Sequence, residues 1–414
     1  MKPHFFLLSG PVTQERLTWI GDCLKFYFIK LNPENFLHHT KTQQEGFVFL
    51  LTGDALYSLH DPGTVRIWEA ILSLPSVQII CDRKELALRG ISIEGLKMKL
   101  PDQVIDHNRL GINGQPSFWN DVVKIARQHE QPIPSIIGYL LMESPYMNRP
   151  SSHAVKCLKA ALDVHASVEL YAYLDGIHCG HAGQVPVDFE NIGCGLEEIS
   201  EKAAKRGLQC QMVACTRCAA ARGYGIWDDG EGQVISSCII KPFKIRNLNE
   251  IVKRFEHNHI ILGENIASIQ VKKENQPSSF LLQEDEYSPP VTIFITHTPY
   301  GTEMAFGGIS FALACAAMGI KTRVIFIENG VYALTGNHTL KKDTRFFNMQ
   351  DVIDAVAESD DLQLFAFLPS FQNRGLVKNP KMNAVFDIGI PELGQLLFTL
   401  PKGNRAGHQR VIFF

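Results

Sequence analysis

The chain has 414 residues, about three times a usual domain of roughly 100–150 residues, so two to four domains are expected. A hydrophobic share of 45% with 20% charged residues excludes the disordered, collagenous and fibrous classes. Lys and Arg number 40 against 43 Asp and Glu, and a net charge of −3 argues against a nucleic-acid coat or a polybasic membrane binder. No apolar run reaches the ~18–20 residues of a membrane span. The opening Met1-Lys-Pro-His-Phe-Phe-Leu-Leu-Ser-Gly10 reads as a buried strand rather than an export signal, which makes the cytoplasm the expected location.

In chain order, the first third offers Phe5-Phe-Leu-Leu-Ser-Gly-Pro11 as a first strand. Phe47-Val-Phe-Leu-Leu-Thr52 follows, leading to Gly53-Asp54, and then Val77-Gln-Ile-Ile80, leading to Cys81 with Arg89-Gly90 beyond. Gln128–Pro134, charged and then Pro-rich, reads as a boundary. The middle third has strand candidates at Ile136–Leu141, Val168–Leu174 and Gln209–Ala214, with a helix over Ser152–His165. The second run ends at Asp175-Gly176, and the third at Cys215 with Arg222-Gly223 after it. Lys272–Pro290 has linker composition. The last third repeats the order: Val291 to Gly301, a helix from Glu303 to Gly319, Thr322–Glu328 closed by Asn329-Gly330, and Leu362–Leu368 leading to Asn373-Arg374-Gly375.

The middle and last thirds keep a nearly constant register. Tyr146 to Tyr300 and Gly176 to Gly330 are both offsets of 154 residues, and Arg222 to Arg374 is one of 152. The first third repeats the order of elements with a shorter spacing. Short apolar runs separated by helix-length stretches imply buried parallel strands with crossover helices. The expected fold class is therefore α/β: three tandem units over 1–130, 134–271 and 289–414, each a mainly parallel sheet with flanking helices.

Seven of the ten cysteines fall between 157 and 238. Without an export signal, such clustering points to metal, redox or thiol chemistry rather than a disulfide scaffold. Ligands of doubly wound sheets gather at the carboxyl ends of the strands, which singles out Cys215-Thr-Arg217-Cys218-Ala-Ala-Ala-Arg222-Gly223. A thiol closing a strand and opening a helix is favoured as thiolate, and Arg217 and Arg222 would add to that. Cys218, one turn on, is either a second working thiol or a packed side chain. Asp175, His178, Cys179 and His181 form the loop after the second strand, and the glycines of His178–Gly183 would let it move as a gate. Cys194 lies in another glycine-containing stretch. Cys81 falls one register step from Cys215, followed by Asp82 and Glu85, and is a weaker nucleophile candidate. Cys157, Cys210, Cys238 and Cys315 read as small packed hydrophobes. A zinc site is the sharpest competing reading: the single C-x-x-C of Cys215 and Cys218 supplies two ligands and His178, Cys179 or His181 could supply others, although a second C-x-x-C at zinc-ribbon spacing is absent.

These residues also resemble a family. Tyr173-Leu-Asp-Gly176 with Cys215…Cys218-Ala-Ala-Ala-Arg-Gly223 resembles DsrE/TusD. Thr298-Pro-Tyr-Gly301, Phe326-Ile-Glu-Asn-Gly-Val-Tyr-Ala-Leu334 and Arg374-Gly375 resemble DsrF/TusC, and the first third is similar to a diverged DsrE-like or DsrH/TusB-like unit. The resemblance implies flavodoxin-like units and a sulfur relay in which a strand-end cysteine, matching Cys215, carries sulfur as a persulfide. It also implies sulfurtransferase activity without cofactor or metal, and three subunits fused in one chain that pairs as a homodimer. The implied partners are donor and acceptor proteins, a TusA-like carrier and a DsrC/TusE-like acceptor, with no membrane or direct nucleic-acid contact. Cys218 is an extra thiol in that pattern, and Cys81 does not map onto the family's second cysteine. The role requires the Cys215 thiol to be ionised and reachable. The alternatives are a Cys/His metal scaffold or sensor and a non-catalytic docking protein for a sulfur carrier.

Overall fold

A computed structural model of the chain describes residues 4–31, 46–92, 95, 104–106, 118–127, 136–228, 233–236, 238–256, 260–264, 266–270, 272–273, 290–336, 338, 347–357, 359–400 and 408–414. Of the two boundary stretches expected from composition, 128–134 lies outside these residues, as does 272–290 apart from 272–273 and 290. The architecture is α/β with mostly parallel sheets and flanking helices. No helix among the described residues is long and apolar enough to cross a membrane.

The middle of the chain forms a five-stranded parallel sheet. Its spatial order is Phe243–Arg246, Cys210–Cys215, Ser167–Ala172, Ile136–Leu141, Ile260–Gly263. The ends of the chain share a second, ten-stranded sheet. Val385–Ile388, Leu362–Phe367, Thr322–Phe326 and Val291–Ile295 lead through His408–Phe413 and Ile266–Gln270 to His4–Leu8, Phe47–Leu51, Val77–Cys81 and Val104–Asp106. Only Ile266–Gln270 runs antiparallel to its neighbours, splicing the two parallel halves. The strands are continuous apolar runs because both faces are covered. Along the first two strands, Phe5, Leu7, Val48 and Leu50 fall in the core cluster that also holds the middle sheet's side chains. Phe6, Leu8, Phe49 and Leu51 fall in the cluster on the opposite face, as the period-2 alternation of strand side chains requires.

One local geometry recurs three times and sets up the strand ends. After the second strand of each series comes a seven-residue 3-10 helix: Gly53–Leu59, Leu174–Gly180 and Glu328–Leu334. Each begins in the left-handed region, with φ of +54°, +51° and +53° at Gly53, Leu174 and Glu328. After the third strand comes a six-residue helix: Arg83–Leu88, Thr216–Ala221 and Leu368–Asn373. Each ends on an Arg-Gly pair whose glycine is left-handed, with φ of +65°, +73° and +61° at Gly90, Gly223 and Gly375. Gly176 and Gly330 recur for a steric reason. A Cβ there would sit 2.1 Å from the Leu141 carbonyl oxygen in one case and 1.8 Å from that of Ile295 in the other.

Candidate functional site at the Cys215 strand end

Cys215 closes the strand Cys210–Cys215 and caps the helix Thr216–Ala221 with extended dihedrals, the strand-to-helix position expected from its sequence. A hydrogen bond with the Cys218 thiol is the largest influence on it. Together with the backbone N–H groups of Cys218 and Arg217 and the Arg217 charge, it outweighs burial and lowers the Cys215 thiol to about 7. Cys218 moves the opposite way, because its thiol hydrogen-bonds to Cys215, and burial and then the neighbouring negative charge add to that. Burial likewise raises Cys23, Cys157, Cys179, Cys210 and Cys315.

Cys218 has a structural duty as well. Its sulfur accepts the Leu174 N–H at 3.3 Å, and Ser370, at the same place in the last repeat, accepts the Glu328 N–H at 2.8 Å. In these two segments the left-handed residue that opens the 3-10 helix thus finds its acceptor three residues into the following strand-end segment. Cys218 serves both as that acceptor and as hydrogen-bond partner of Cys215.

The arginine that follows is tethered in the same way three times. Arg89 holds Asp54 (2.7 Å), Arg222 holds Asp175 (2.6 Å) and Arg374 holds Asn329 (2.9 Å). Each also takes a glutamate. Arg89 pairs with Glu85 at 2.7 Å, and Arg374 grips Glu15 with two nitrogens at 2.9 and 2.7 Å. Arg222 reaches Glu303, at the start of the helix Met304–Ala317, at 2.5 Å. The expected help of Arg222 to Cys215 is therefore redirected: its charge is spent on Asp175 and Glu303 and is felt at Cys218, whereas the cationic influence on Cys215 is that of Arg217. Arg217 itself is exposed.

The expected solvent reach of Cys215 is not present in this conformation. Cys215 is 1% exposed and Cys218 7%. Leu174 lies against Cys218, and behind it the helix Met304–Ala317 packs so closely that a Cβ on Gly307 would meet Leu174 Cδ1 at 2.9 Å. Tyr173 adds to this wall and donates to the Gly307 carbonyl at 2.9 Å. Its phenol is held well above its ordinary value by burial and then by the Cys218 and Cys215 thiols, with Glu303 adding to the effect. The His178–Gly183 segment is tied down rather than loose. His178 Nδ1 meets the Tyr224 hydroxyl at 2.6 Å, Ala182 N–H donates to the Cys238 carbonyl, and Gln184 Nε2 donates to the carbonyls of His178, Cys179 and His181.

The other candidates separate. Asp175 joins the site through Arg222, and His178 stands 3.9 Å from Asp175, its imidazole lowered by burial. Cys179 is fully buried. Cys194 is exposed in the first turn of the helix Ile192–Lys205, where its N–H is capped by Asn191. Cys81 is buried at the end of Val77–Cys81, and the place equivalent to Cys215 is held by Asp82, which caps the next helix. Cys157 and Cys315 are packed as expected, but Cys238 is exposed, since it lies on a surface turn rather than in an element. For the metal reading, His181 Nδ1 is engaged by the Gly183 N–H and His178 by Tyr224. Among the described residues, no three His, Cys, Asp or Glu side chains are placed to hold a metal ion.

Sequence reasoning missed Tyr173, Gly307 and Glu303 as neighbours of the thiols. The signal for Glu303 lay in the repeat itself: each strand-end arginine takes a glutamate, and in two repeats that glutamate comes from the helix that follows the first strand of another segment.

Residues 290–399 match the model of the DsrE/DsrF-like family. An uncharacterized protein of Methanocaldococcus jannaschii, MJ0989, is 44% identical over 41 residues, 10% of this chain, and the chain spans 36% of that protein's length. The crystal structure of the ychN protein from E. coli aligns over 30% of this chain and 99% of its own, with 18% identity and a TM-score of 0.24. The family match thus covers Glu303, Glu328, Ser370 and Arg374, and the Cys215 segment lies outside it.

Proposed function

We propose that this chain is a sulfur-relay protein that accepts and passes on sulfane sulfur as a persulfide of Cys215. The observation that carries the reading is the Cys215 thiol itself: at a strand end, lowered to about 7 by Cys218, two backbone N–H groups and Arg217, where burial raises the other shifted thiols. A thiolate near neutral pH combines a useful ionised fraction with good nucleophilicity. The DsrE/DsrF-like match of residues 290–399 supports the same direction.

In the forward step the Cys215 thiolate attacks the outer sulfur of a donor persulfide. The donor's S–S bond breaks, its electron pair leaves as the donor thiolate, and the proton stays on the transferred sulfur, giving Cys215–S–SH. An acceptor thiolate then attacks that outer sulfur and releases the Cys215 thiolate. The two steps balance without an external oxidant. Because Cys215 is buried at rest, transfer requires withdrawal of the wall made by Leu174 and the start of the helix Met304–Ala317. We read units 1–130, 134–271 and 289–414 as three related modules. The middle one is the carrier, and the other two have Asp82 and Phe367 at the helix-capping place that Cys215 holds. A TusA-like donor and a DsrC/TusE-like acceptor in the cytoplasm are the partners this reading calls for. The test is peptide mass mapping after incubation with a small persulfide: one added sulfur atom on the Cys215 peptide, and none at that position in Cys215→Ser. Equal loading of the Cys215→Ser protein sinks the reading.

A further inference from the structure

The three strand-end arginines form an internal comparison. Each is anchored on one side by Asp54, Asp175 or Asn329 and carries a glutamate on the other. In the last repeat the Glu15 carboxylate is gripped by two Arg374 nitrogens and also accepts the Ser370 hydroxyl at 2.6 Å, with a side chain 19% exposed. In the first repeat Glu85 is 1% exposed and shared among Arg89, Arg149 and Lys156. These two carboxylates are permanent fittings.

The middle repeat differs. Glu303 holds Arg222 through one nitrogen, and its side chain is 62% exposed while Arg222 is 12% exposed. A carboxylate this exposed is held only weakly against water, so another anion can replace it at Arg222. Ser370, which shares the Glu15 carboxylate with Arg374, has Cys218 as its counterpart, and Cys218 is bonded to Cys215. The last repeat therefore displays, with an internal glutamate, where an anion sits in this geometry.

We propose that Arg222, at the far end of the short helix that Cys215 opens, is an exchangeable anion seat near the Cys215–Cys218 pair, occupied at rest by Glu303, which accepts a carboxylate or other oxyanion of the incoming reactant. Departure of Glu303 also loosens the start of the helix Met304–Ala317, whose Gly307 backs Leu174, so one exchange binds the reactant and opens the wall. The inference rests on the reading of Cys215 as the reacting thiol. The anion is either a free small oxyanion or a carboxylate carried by the reacting molecule itself.

Alkylation of the Cys215 peptide by iodoacetate and by neutral iodoacetamide, reagents of nearly equal size, tests this by mass mapping. Their rate ratio removes effects of general opening. Glu303→Gln is expected to raise the iodoacetate-to-iodoacetamide ratio roughly threefold to fivefold by removing the resident competitor, and Arg222→Gln to lower it below wild type. Sulfate added at constant ionic strength lowers the wild-type ratio if free oxyanions fill the seat. It leaves the ratio unchanged if only a carboxylate on the reactant is taken. Should Arg222→Gln fail to fold, Glu303→Gln, an exposed change, still decides. Equal ratios in wild type and Glu303→Gln overturn the seat. Equal ratios with normal sulfur loading sink the seat alone, whereas a responsive ratio without loading sinks the relay reading and leaves the seat.

Discussion

At the residue scale the account turns on the division of labour between two thiols three residues apart. Cys218 donates to Cys215 and accepts from the Leu174 N–H, so its loss removes both a stabiliser of the thiolate and the acceptor of a buried backbone donor. Cys218→Ala should cost about 1–3 kcal/mol of stability, the penalty of leaving a buried donor unpaired. It should also move the pH midpoint of Cys215 alkylation upward, measured by denaturation and by rate against pH. Cys218→Ser should keep the fold, since Ser370 already does the acceptor's work in the last repeat. If Cys218→Ala leaves the alkylation midpoint near 7, the thiol–thiol bond is not what lowers Cys215. The strand-end cysteine and its helix start were legible in the sequence because a run of buried residues gives way there to small helix formers. The burial of Cys215 was not, because it follows from long-range packing at the strand ends, such as that of Leu174 on Cys218 and of Gly307 on Leu174, that no local pattern encodes.

At the scale of elements the repeated left-handed positions and glycines are steric requirements, and they separate in strength. Gly176→Ala places a Cβ 2.1 Å from the Leu141 backbone oxygen. It should destabilise the middle sheet by about 3 kcal/mol or prevent folding, as backbone overpacking does. Gly223→Ala meets no atom within 4 Å and bears only the cost of φ +73°, about 1–2 kcal/mol. Equal losses in chemical denaturation would contradict the geometry. The register of Gly176 with Gly330 was readable as a repeat, and the close approach to the preceding strand explains why it persists. Six strands of the two large sheets escaped the sequence reading, namely Val104–Asp106, Phe243–Arg246, Ile260–Gly263, Ile266–Gln270, Val385–Ile388 and His408–Phe413. They are three to six residues long, and three of them lie beside the first strand of a segment, paired by long-range contacts rather than by the local β-α rhythm.

At the scale of the whole molecule the two sheets meet through a buried polar cluster. Glu264, just beyond the strand Ile260–Gly263, accepts from Ser9, meets His153 Nδ1 at 2.6 Å and lies 3.5 Å from the Tyr139 hydroxyl. Burial, and then the Glu264 charge, push the nearby Glu143 carboxyl up to about 7. A carboxyl raised on folding is protonated more readily in the native state, so it costs stability as pH climbs from its unfolded value toward 7 and carries the full cost above that. Glu143→Gln should therefore raise the melting temperature by about 2 °C at pH 8 and leave it unchanged at pH 4. A gain that is equal at both pH values would mean the carboxyl is not raised. None of this cluster was visible in the sequence, because Ser9, His153 and Glu264 are separated by more than 100 residues and carry no motif.

The central claim is tested most directly by the rate at which a small persulfide adds one sulfur to Cys215, followed by peptide mass mapping across pH. The account predicts loading that rises with a midpoint near 7, the value to which Cys218, Arg217 and two backbone N–H groups bring the thiol, and no sulfur at that position in Cys215→Ser. Loading that reaches half its maximum only near the ordinary thiol range of about 8.5, or sulfur appearing on Cys194 or Cys238 in preference to Cys215, would contradict it.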